Sequence, residues 1–316
     1  MILCISANPA IDRRLRIERL QTGGVNRASS VVAAPGGKAA HVAMAARALG
    51  EAVQWIGFSG GTTGAACVRG LEALSIPVIP VRTRSATRIN LEIIDDRHTV
   101  TEILEPGGAV TAAECNEMLR VCYESFAQHR QQAVIVLSGS LPPGAPPYLY
   151  AQLIQMAHQC ECRTMIDTSG DAFGNALAAQ PSFVKPNREE AAAFSGFAIT
   201  DAKAALVAAR QCLARGAASA AVTLGRAGLI WLQGQAATPL VASSIDVAAR
   251  STVGCGDATL AAFAVAAVRG LDTAETLRLA VASAAANCLA DLPGQIQKSE
   301  VARLLPLVKC DELEPH

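Results

Sequence analysis

The residues of this chain best suited to chemistry lie in one short run, Gly254-Cys-Gly-Asp257. Two glycines flank a small residue, and a carboxylate follows where an alanine-rich, almost uncharged run predicts a buried helix. Glycines at a helix start let the backbone approach a ligand closely, with free N–H groups facing an anion. The run therefore indicates an anion site with a carboxylate beside it, or only an acidic helix start, which the helix dipole favours by roughly 0.3–1 kcal/mol.

A second glycine-rich segment, Gly36-Gly-Lys38, follows Pro35 and opens a predicted helix over 38–49. A lysine at such a helix start is well placed to meet a phosphate, although a turn with a surface lysine fits the same residues. The Walker A pattern Gly-x4-Gly-Lys-Ser/Thr is absent, and Gly254-Cys-Gly256 lacks the third glycine of a Rossmann fingerprint. Neither common nucleotide motif is therefore predicted.

Other short segments place polar side chains where a ligand could bind. Arg88, in Thr87-Arg-Ile-Asn90, could hold an anion with two N–H groups, or it could be a solvated arginine at a strand edge. Asn187 and Glu190 lie three residues apart at a predicted helix start, where they could order metal-bound water or cap the helix. Further candidates are the turn Asn8-Pro-Ala-Ile-Asp12 after the first strand and the loop that starts at Ser138.

Composition excludes several classes of protein. The chain has 316 residues, 51% of them hydrophobic and 17% charged, enough for one large core and a small appendage. Because the net charge is zero, we expect neither nucleic acid nor a membrane as a partner. The N-terminus reads as a buried strand, and we expect a soluble, cytoplasmic protein. Its ten cysteines are scattered without a Cys-x-x-Cys pair, and its five histidines form no metal pattern.

Alternating elements must position these residues. Apolar runs at 133–137, 163–167, 182–185 and 220–224 predict buried strands. Helical stretches at 61–75, 111–128, 147–160 and 201–215 lie around them, which predicts a mainly parallel sheet wrapped by helices. Asp167 and Lys185 end two strands, at the edge where open α/β sheets bind ligands.

Two segments depart from this alternation. Residues 9–35 and 82–106 carry more charge and show the alternating pattern of antiparallel strands. They return to the core at Gly36-Gly37 and Gly107-Gly108, which suggests a small β lid over a cleft. We therefore expect an α/β core formed by 1–8, 36–81 and 107–316, with a lid formed by 9–35 and 82–106.

The order and spacing of these motifs resemble those of the ribokinase-like (PfkB-type) carbohydrate kinases over the whole chain. Within that family the chain is most similar to the branch containing 1-phosphofructokinase, tagatose-6-phosphate kinase and the minor 6-phosphofructokinase. The resemblance implies a three-layer α/β/α core with a mainly parallel sheet and a small β-sheet lid. It rests on Asn8-Pro-Ala-x-Asp12, Val25-Asn-Arg27, Pro35-Gly-Gly-Lys38, Thr87-Arg-Ile-Asn90, Glu105-Pro-Gly-Gly108, Ser138-Gly-Ser-Leu-Pro-Pro-Gly144, Lys185-Pro-Asn187 and Val253-Gly-Cys-Gly-Asp257.

The resemblance also implies a reaction, the ATP- and Mg²⁺-dependent phosphorylation of a sugar phosphate such as fructose 1-phosphate, fructose 6-phosphate or tagatose 6-phosphate. Asp257 would be the base, and the amides of Gly254, Cys255 and Gly256 would form the anion hole. Magnesium would be held by Asn187 and Glu190 through water. The implied substrate residues are Asp12, Arg27, Gly36, Gly37, Lys38, His41, Arg88, Asn90 and Ser138, and the implied nucleotide residues are Lys185, Asn187, Glu190, Thr223, Gly225, Gly228 and Asn287.

The chain departs from the family pattern Gly-Gly-Lys-Gly-x-Asn at Ala39 and His41. Ala39 adds a methyl group near the substrate, and its fit depends on the backbone angle φ. His41 could donate to a phosphate, mark a different sugar or pack against the lid. Cys255 replaces the commoner alanine, and we expect no catalytic thiol there.

Two other functions stay open. One is a kinase of an unphosphorylated sugar or a nucleoside, and the other is a non-catalytic regulator that binds a sugar phosphate. Members of the family often pair through their lids, so a homodimer is a further expectation.

Overall fold

The computed structural model describes residues 1–313, which form a large sheet, a small sheet and the helices around them. The strands are β1 Ile2–Ser6, β2 Ala10–Arg16, β3 Ser30–Gly36, β4 Val53–Ser59, β5 Val78–Arg82, β6 Arg88–Ile94, β7 Val100–Leu104, β8 Val134–Ser138, β9 Arg163–Asp167, β10 Phe183–Val184, β11 Ser219–Thr223, β12 Leu229–Gln233, β13 Leu240–Ala242 and β14 Cys310–Glu312. The helices are α1 Lys38–Ala48, α2 Gly61–Ala73, α3 Ala112–Gln128, α4 Leu149–Gln159, α5 Asp171–Ala178, α6 Arg188–Ser195, α7 Ala202–Ala214, α8 Cys255–Arg269, α9 Thr273–Leu289 and α10 Lys298–Leu304.

The large sheet has the strand order β14-β13-β12-β11-β10-β9-β8-β1-β4-β5. Pairing is parallel from β11 to β5, and β12, β13 and β14 extend the sheet in antiparallel fashion. The central strands β1 and β8 are buried at every residue, because helices cover both faces of the sheet. This buried position explains their unbroken apolar runs.

Helices on the two faces pack against two separate hydrophobic clusters. One face buries Met118 of α3, Leu153 of α4 and Leu206 of α7. The other buries Val42 of α1 and Phe263 of α8, together with residues of α9. The predicted three-layer α/β/α core is therefore confirmed, and its predicted helices lie within two residues of the observed ones.

The small sheet has the strand order β3-β2-β6-β7. Strand β2 pairs antiparallel with β3 and parallel with β6, and β6 pairs antiparallel with β7. The register places Asp12 of β2 opposite Asn90 of β6, so their side chains emerge side by side. The expected antiparallel pairing is found for β2–β3 and β6–β7, whereas β2–β6 is parallel, because the alternation of polar and apolar residues does not fix the direction of a neighbouring strand.

A buried ion pair within the small sheet also contacts the core. Arg14 of β2 pairs with Glu92 of β6, with the Arg14 Nε to Glu92 Oε2 distance at 2.9 Å. The Ser251 hydroxyl donates to Glu92 at 2.7 Å, and Arg14 also donates to the carbonyl of Asp291. These contacts hold the small sheet against two segments of the core, the one before α8 at Ser251 and the one after α9 at Asp291. Of the helices within residues 1–313, none has both the length and the apolar character needed to cross a membrane.

Candidate active site

A cleft of about 1140 Å³ lies between the small sheet and the carboxyl ends of the central parallel strands. Its wall on the small sheet includes Asp12 and Asn90, and its wall on the core includes Asp167, at the end of β9, and Thr223, at the end of β11. The start of α8 lies in the same cleft. This is the edge at which open α/β sheets bind their ligands.

The start of α8 contributes unpaired backbone N–H groups to the lining of the cleft. Gly254 caps the helix in a left-handed conformation with φ of 81°, where a side chain would be strained. Within residues 1–313, the N–H groups of Gly254, Gly256 and Asp257 have no hydrogen-bond partner, whereas that of Cys255 donates to the Thr252 carbonyl at 3.3 Å. Two of the three predicted amides are therefore free, and the amide of Asp257 adds a third donor that the sequence interpretation had not included.

The Asp257 carboxylate belongs to a buried group that we call the histidine cluster, formed by Asp12, His41, Asn90 and Asp257. The His41 Nδ1 atom lies 2.8 Å from Asp257 Oδ2, and its Nε2 atom lies 2.8 Å from Asp12 Oδ2. Asn90 Nδ2 donates to Asp12 Oδ1 at 2.9 Å. The cluster joins the two parts of the protein, because Asp12 and Asn90 lie on the small sheet and the other two on α1 and α8.

His41 carries a positive charge in this arrangement. Burial opposes that charge, but the hydrogen bonds and charges of Asp12 and Asp257 outweigh burial and raise the pKa of His41 to about 10. The same contacts outweigh burial at Asp12 and lower the pKa of its carboxyl. Both ring nitrogens of His41 are occupied, so here the imidazolium bridges two carboxylates. In this structure His41 therefore has no free N–H group for a phosphate, and it does more than pack against the small sheet. Those were two of its predicted roles.

Asp257 remains accessible despite this pairing. Only 6% of the residue is exposed, but it lines the cleft, and within residues 1–313 only one of its carboxylate oxygens has a hydrogen-bond partner. The neighbouring Ala39 lies in the first turn of α1 and is absent from the residues with positive φ. Its backbone conformation therefore suits an L-residue, and glycine is not required there.

A second charged group, which we call the lysine cluster, is formed by Lys38, Asp167, Lys185 and Glu190. Lys38 Nζ lies 3.0 Å from Asp167 Oδ1 and 3.1 Å from Glu190 Oε1. Lys185 Nζ lies 3.0 Å from Asp167 Oδ2, and the Lys185 and Asp167 side chains are only 2% and 1% exposed. Burial opposes the Asp167 charge, but the two lysines outweigh it and lower the pKa of that carboxyl.

The lysine cluster lies close to the start of α8. A Cβ atom added to Gly256 would lie 3.3 Å from Lys185 Nζ. The ammonium group therefore lies beside the free amides, where a phosphate between them would meet positive charge from both sides. Sequence spacing did not indicate this neighbour, because Lys185 and Gly256 come from distant parts of the chain.

Asn187 and Glu190 cap α6 reciprocally. The Asn187 side chain accepts from the Glu190 amide at 2.8 Å, and the Glu190 carboxylate accepts from the Asn187 amide at 2.9 Å. Glu190 also binds Lys38. Within residues 1–313, no three His, Cys, Asp or Glu side chains are grouped so as to hold a metal ion. These two residues therefore fit magnesium only through water.

The three predicted nucleotide residues at the end of β11 and just after it, Thr223, Gly225 and Gly228, all line the cleft. Thr223 forms a parallel bridge with Asn187, which joins this segment to the start of α6. Gly225 has φ of 61° and open space where a side chain would project, whereas a Cβ at Gly228 would come within 1.9 Å of the Ala242 carbonyl. Gly225 is therefore favoured by its positive φ, and Gly228 by the close approach of the neighbouring backbone.

The predicted phosphate ligands divide into residues inside and outside the cleft. Arg88 lines the cleft and donates to the carbonyls of Glu105 at 2.7 Å and Asn8 at 3.2 Å. Its Nε atom is buried without a partner in the described part of the chain. Arg27, in contrast, is exposed on the loop between β2 and β3 and does not line the cleft.

Three other predicted site residues lie behind the cleft wall. Gly36 makes room for Asp12, because a Cβ there would lie 2.1 Å from the Asp12 carboxyl carbon. The Asn287 side chain donates to the Val253 carbonyl and accepts from the Gly294 amide, both at 2.8 Å, so it supports the turn before α8. Ser138 is buried at the end of β8. Gly37, in contrast, lines the cleft with φ of 84°.

Several residues that line the cleft were missing from the predicted site. Asp167 was recognised as a polar residue at the end of a strand. That position alone would have justified adding it to the predicted site, but it was not added. Arg226 lies inside the stretch 222–228 that the resemblance assigns to the nucleotide, although only Thr223, Gly225 and Gly228 were named from it. Cys288 lies in a segment with an ordinary structural interpretation and gave no signal. The charged lining residues that were not in the predicted site are Glu92, Glu102, Asp167, Arg188, Glu189, Arg226 and Asp246.

The fold and the cleft together define an α/β protein in which a helix start with unpaired amides lies at the ends of the parallel strands. The model of the pfkB family carbohydrate kinases matches residues 1–296. The chain therefore belongs to the pfkB family of carbohydrate kinases, as its motifs predicted.

Relatives support this assignment over nearly the whole chain. The 1-phosphofructokinase of Rhodobacter capsulatus is 35% identical over 282 residues, which cover 89% of this chain and 88% of that protein. The D-tagatose-1-phosphate kinase of Klebsiella oxytoca is 28% identical over 300 residues, with coverage of 95% and 96%. The structure of phosphofructokinase-2 from Escherichia coli in complex with fructose-6-phosphate matches with a TM-score of 0.87 at 26% identity, with coverage of 97% and 98%.

Proposed function

We propose that this protein is an ATP- and Mg²⁺-dependent kinase that transfers a phosphoryl group to a hydroxyl of a ketohexose 1-phosphate, with fructose 1-phosphate as the first candidate. The observation that carries the proposal is the position of Asp257, which lines the cleft beside unpaired amides at the start of α8. The names of the relatives support the substrate class, since 1-phosphofructokinase and D-tagatose-1-phosphate kinase both refer to a 1-phosphorylated sugar.

Asp257 acts as the base in this proposal. His41 fixes one carboxylate oxygen through a 2.8 Å contact, which leaves the other free to accept the proton of the attacking hydroxyl. A weak base is sufficient, because phosphoryl transfer depends chiefly on positioning and charge neutralisation.

The free amides of Gly254, Gly256 and Asp257 act on the phosphoryl group in transfer. Preorganised donors of this kind stabilise the charge that develops, and the loss of one typically costs about 3–4 kcal/mol. Lys185 lies beside them and adds a full positive charge. ATP supplies the phosphoryl group, and Asn187 and Glu190 hold the magnesium–phosphate end through water.

The phosphate already on the sugar binds Arg88. Two of its N–H groups are held by the carbonyls of Glu105 and Asn8, which orient the guanidinium, and its buried Nε–H is free to donate. Lys38 is the weaker candidate for this role, because Asp167 and Glu190 already bind its ammonium group. The sugar hydroxyls bind Asp12, Asn90 and the backbone of Gly37.

Residues 9–35 and 82–106 act as a lid that excludes water during transfer, because water that reached the cleft would consume ATP unproductively.

The exposed apolar side chains of the small sheet suit pairing with a second copy of the chain. They are Val31 and Val32 on β3 and Ile103 and Leu104 on β7. Sedimentation velocity tests this part of the proposal. A dimer that Val31→Glu dissociates supports it, and a wild-type monomer at micromolar concentration contradicts it.

A coupled assay of ADP release tests the proposed activity. The panel contains fructose 1-phosphate, tagatose 1-phosphate, fructose 6-phosphate, tagatose 6-phosphate, fructose and adenosine, each with MgATP. We expect the highest kcat/KM on a ketohexose 1-phosphate. Preference for an unphosphorylated sugar or a nucleoside would overturn the substrate class. Binding of a sugar phosphate without ADP release on any member would favour a non-catalytic regulator.

A further inference from the structure

Two cysteines face each other beside the proposed anion hole. Cys255 is the first residue of α8, and Cys288 lies in the last turn of α9. Their Sγ atoms are 3.2 Å apart, both residues are half-buried, and both line the cleft. A solute that enters the cleft can therefore reach the pair.

The packing of α8 on α9 explains this juxtaposition. The two helices form a hairpin with the short connection Gly270–Asp272, so the start of α8 lies beside the end of α9. Cys255 lies 14 residues before the last residue of α8, and Cys288 lies 15 residues after the first residue of α9, so the two are at nearly the same height in the hairpin. Formation of a disulfide would require the sulfur atoms to approach from 3.2 Å to about 2.05 Å, a movement that side-chain rotation and small backbone shifts can supply.

The two thiols have unequal chemistry. The hydrogen bond from Cys255 and the positive charge of Arg226 together outweigh burial and lower the pKa of the Cys288 thiol. The same hydrogen bond, together with burial, raises the pKa of the Cys255 thiol. Cys288 is therefore the more readily ionised thiol of the pair, and Cys255 lies where it can resolve an oxidised Cys288.

We propose that Cys255 and Cys288 form a redox-sensitive modification site that hydrogen peroxide converts into a disulfide, with loss of kinase turnover. The Cys288 thiolate attacks one peroxide oxygen and becomes a sulfenic acid, while the O–O bond breaks and hydroxide leaves. The sulfur of Cys255 then attacks the sulfenic sulfur, and its proton leaves with the hydroxyl as water. In sum, two thiols and one hydrogen peroxide give one disulfide and two waters.

The consequence for turnover follows from the position of Cys255. It lies between Gly254 and Gly256, whose free amides must stay aimed at the transferring group to stabilise its charge. A covalent bond to α9 draws this turn away from the cleft. Reduction by a dithiol reverses the bond and restores the turn.

Peptide mapping of the full chain tests the proposal. The reduced protein is treated with hydrogen peroxide, free thiols are alkylated, and a proteolytic digest is analysed by mass spectrometry with and without dithiothreitol. We expect a peptide pair linked through Cys255 and Cys288 that is two hydrogens lighter than the separate peptides. Failure to find this linked pair, at peroxide concentrations that oxidise other thiols, overturns the proposal. This measurement does not depend on the proposed substrate.

Activity supplies the second measurement, and this part rests on the proposed function. We expect peroxide to lower wild-type turnover at least tenfold, with recovery in dithiothreitol. Cys288→Ser should retain basal turnover and resist peroxide. Cys310→Ser, a matched change at a half-buried cysteine on β14, should lose turnover as the wild type does. Equal loss in Cys288→Ser, or a complete disulfide with unchanged turnover, contradicts the proposed switch.

Discussion

The two charged clusters of the cleft contrast in how their charges are balanced and in what they join. In the histidine cluster one cation lies between two carboxylates, and the four residues come from the small sheet and the core. In the lysine cluster two lysines meet two carboxylates, and all four residues belong to the core. The lysine cluster is therefore neutral and fixed, whereas the histidine cluster has one unbalanced negative charge and would change whenever the small sheet moves.

This difference suggests a division of labour. A fixed, neutral group beside the start of α8 suits the binding of a nucleotide, since its geometry does not depend on the second substrate. A group that spans both sheets suits the acceptor side, where arrival of the sugar would complete the site. The predictions below test whether the two clusters are distinct in stability, in substrate binding and in response to pH.

Removal of the shared carboxylate of the lysine cluster should have the largest effect on stability. Asp167→Ala leaves Lys185 buried without its partner, and loss of one member of a buried ion pair typically costs about 3–5 kcal/mol. Urea denaturation should show a fall of this size in the free energy of unfolding. The double variant Asp167→Ala/Lys185→Met should recover much of it, because no buried charge remains. Wild-type stability in the single variant would show that the cluster is not the buried, fixed group described here.

Substitution of Arg88 should affect only the acceptor side. Arg88→Ala removes a charged donor from the cleft, and a hydrogen bond to a charged group contributes about 1.5–3 kcal/mol. We therefore expect the KM for the sugar phosphate to rise about 10- to 150-fold, with the KM for ATP unchanged. Arg13→Ala, a matched change on the exposed side of β2, is the control. An equal rise in the KM for the sugar phosphate and for ATP would contradict the proposed division of roles between the two clusters.

The histidine cluster should also have a distinctive pH dependence of stability. The pKa of His41 is raised to about 10 from 6.5, so the stabilisation from its charged form is fully present below about pH 6.5 and is lost as pH rises towards 10. Across this window the wild type should lose up to ~1.4 kcal/mol per pH unit relative to His41→Asn. Thermal or urea denaturation of the two proteins at matched pH values measures the difference. Parallel pH profiles would show that His41 is not held as an imidazolium.

Much of the fold could be predicted from local patterns. The apolar runs of β1 and β8 and the alternation in β6 and β7 have direct physical causes, since they reflect burial on two faces or on one. The parallel pairing of β2 with β6 and the added strand β14 depend on contacts distant in sequence. The short helices α5 and α10 were missed, because each is too short to show a clear helical period, and only the start of α6 was predicted, from its capping residues.

The site could be predicted residue by residue but not as a geometry. Motifs located Asp257, Lys38 and Asp12, yet the contact of His41 with Asp257 spans 216 positions and has no local signature. The exposed position of Arg27 and the supporting position of Asn287 likewise depend on how the chain folds around them. Residue type predicted which groups could act, and only the tertiary structure decides which of them meet.

The variant Asp257→Asn, measured for turnover and for nucleotide binding on the same preparation, tests the central claim most directly. The amide has the same shape as the carboxylate but cannot accept the proton, and general base catalysis typically contributes about 10²–10⁴ in rate. We predict a fall in kcat of that size, with the ATP dissociation constant from calorimetry within about twofold of the wild-type value because the lysine cluster is intact. Turnover at the wild-type rate would contradict the account, since Asp257 would then not be the base.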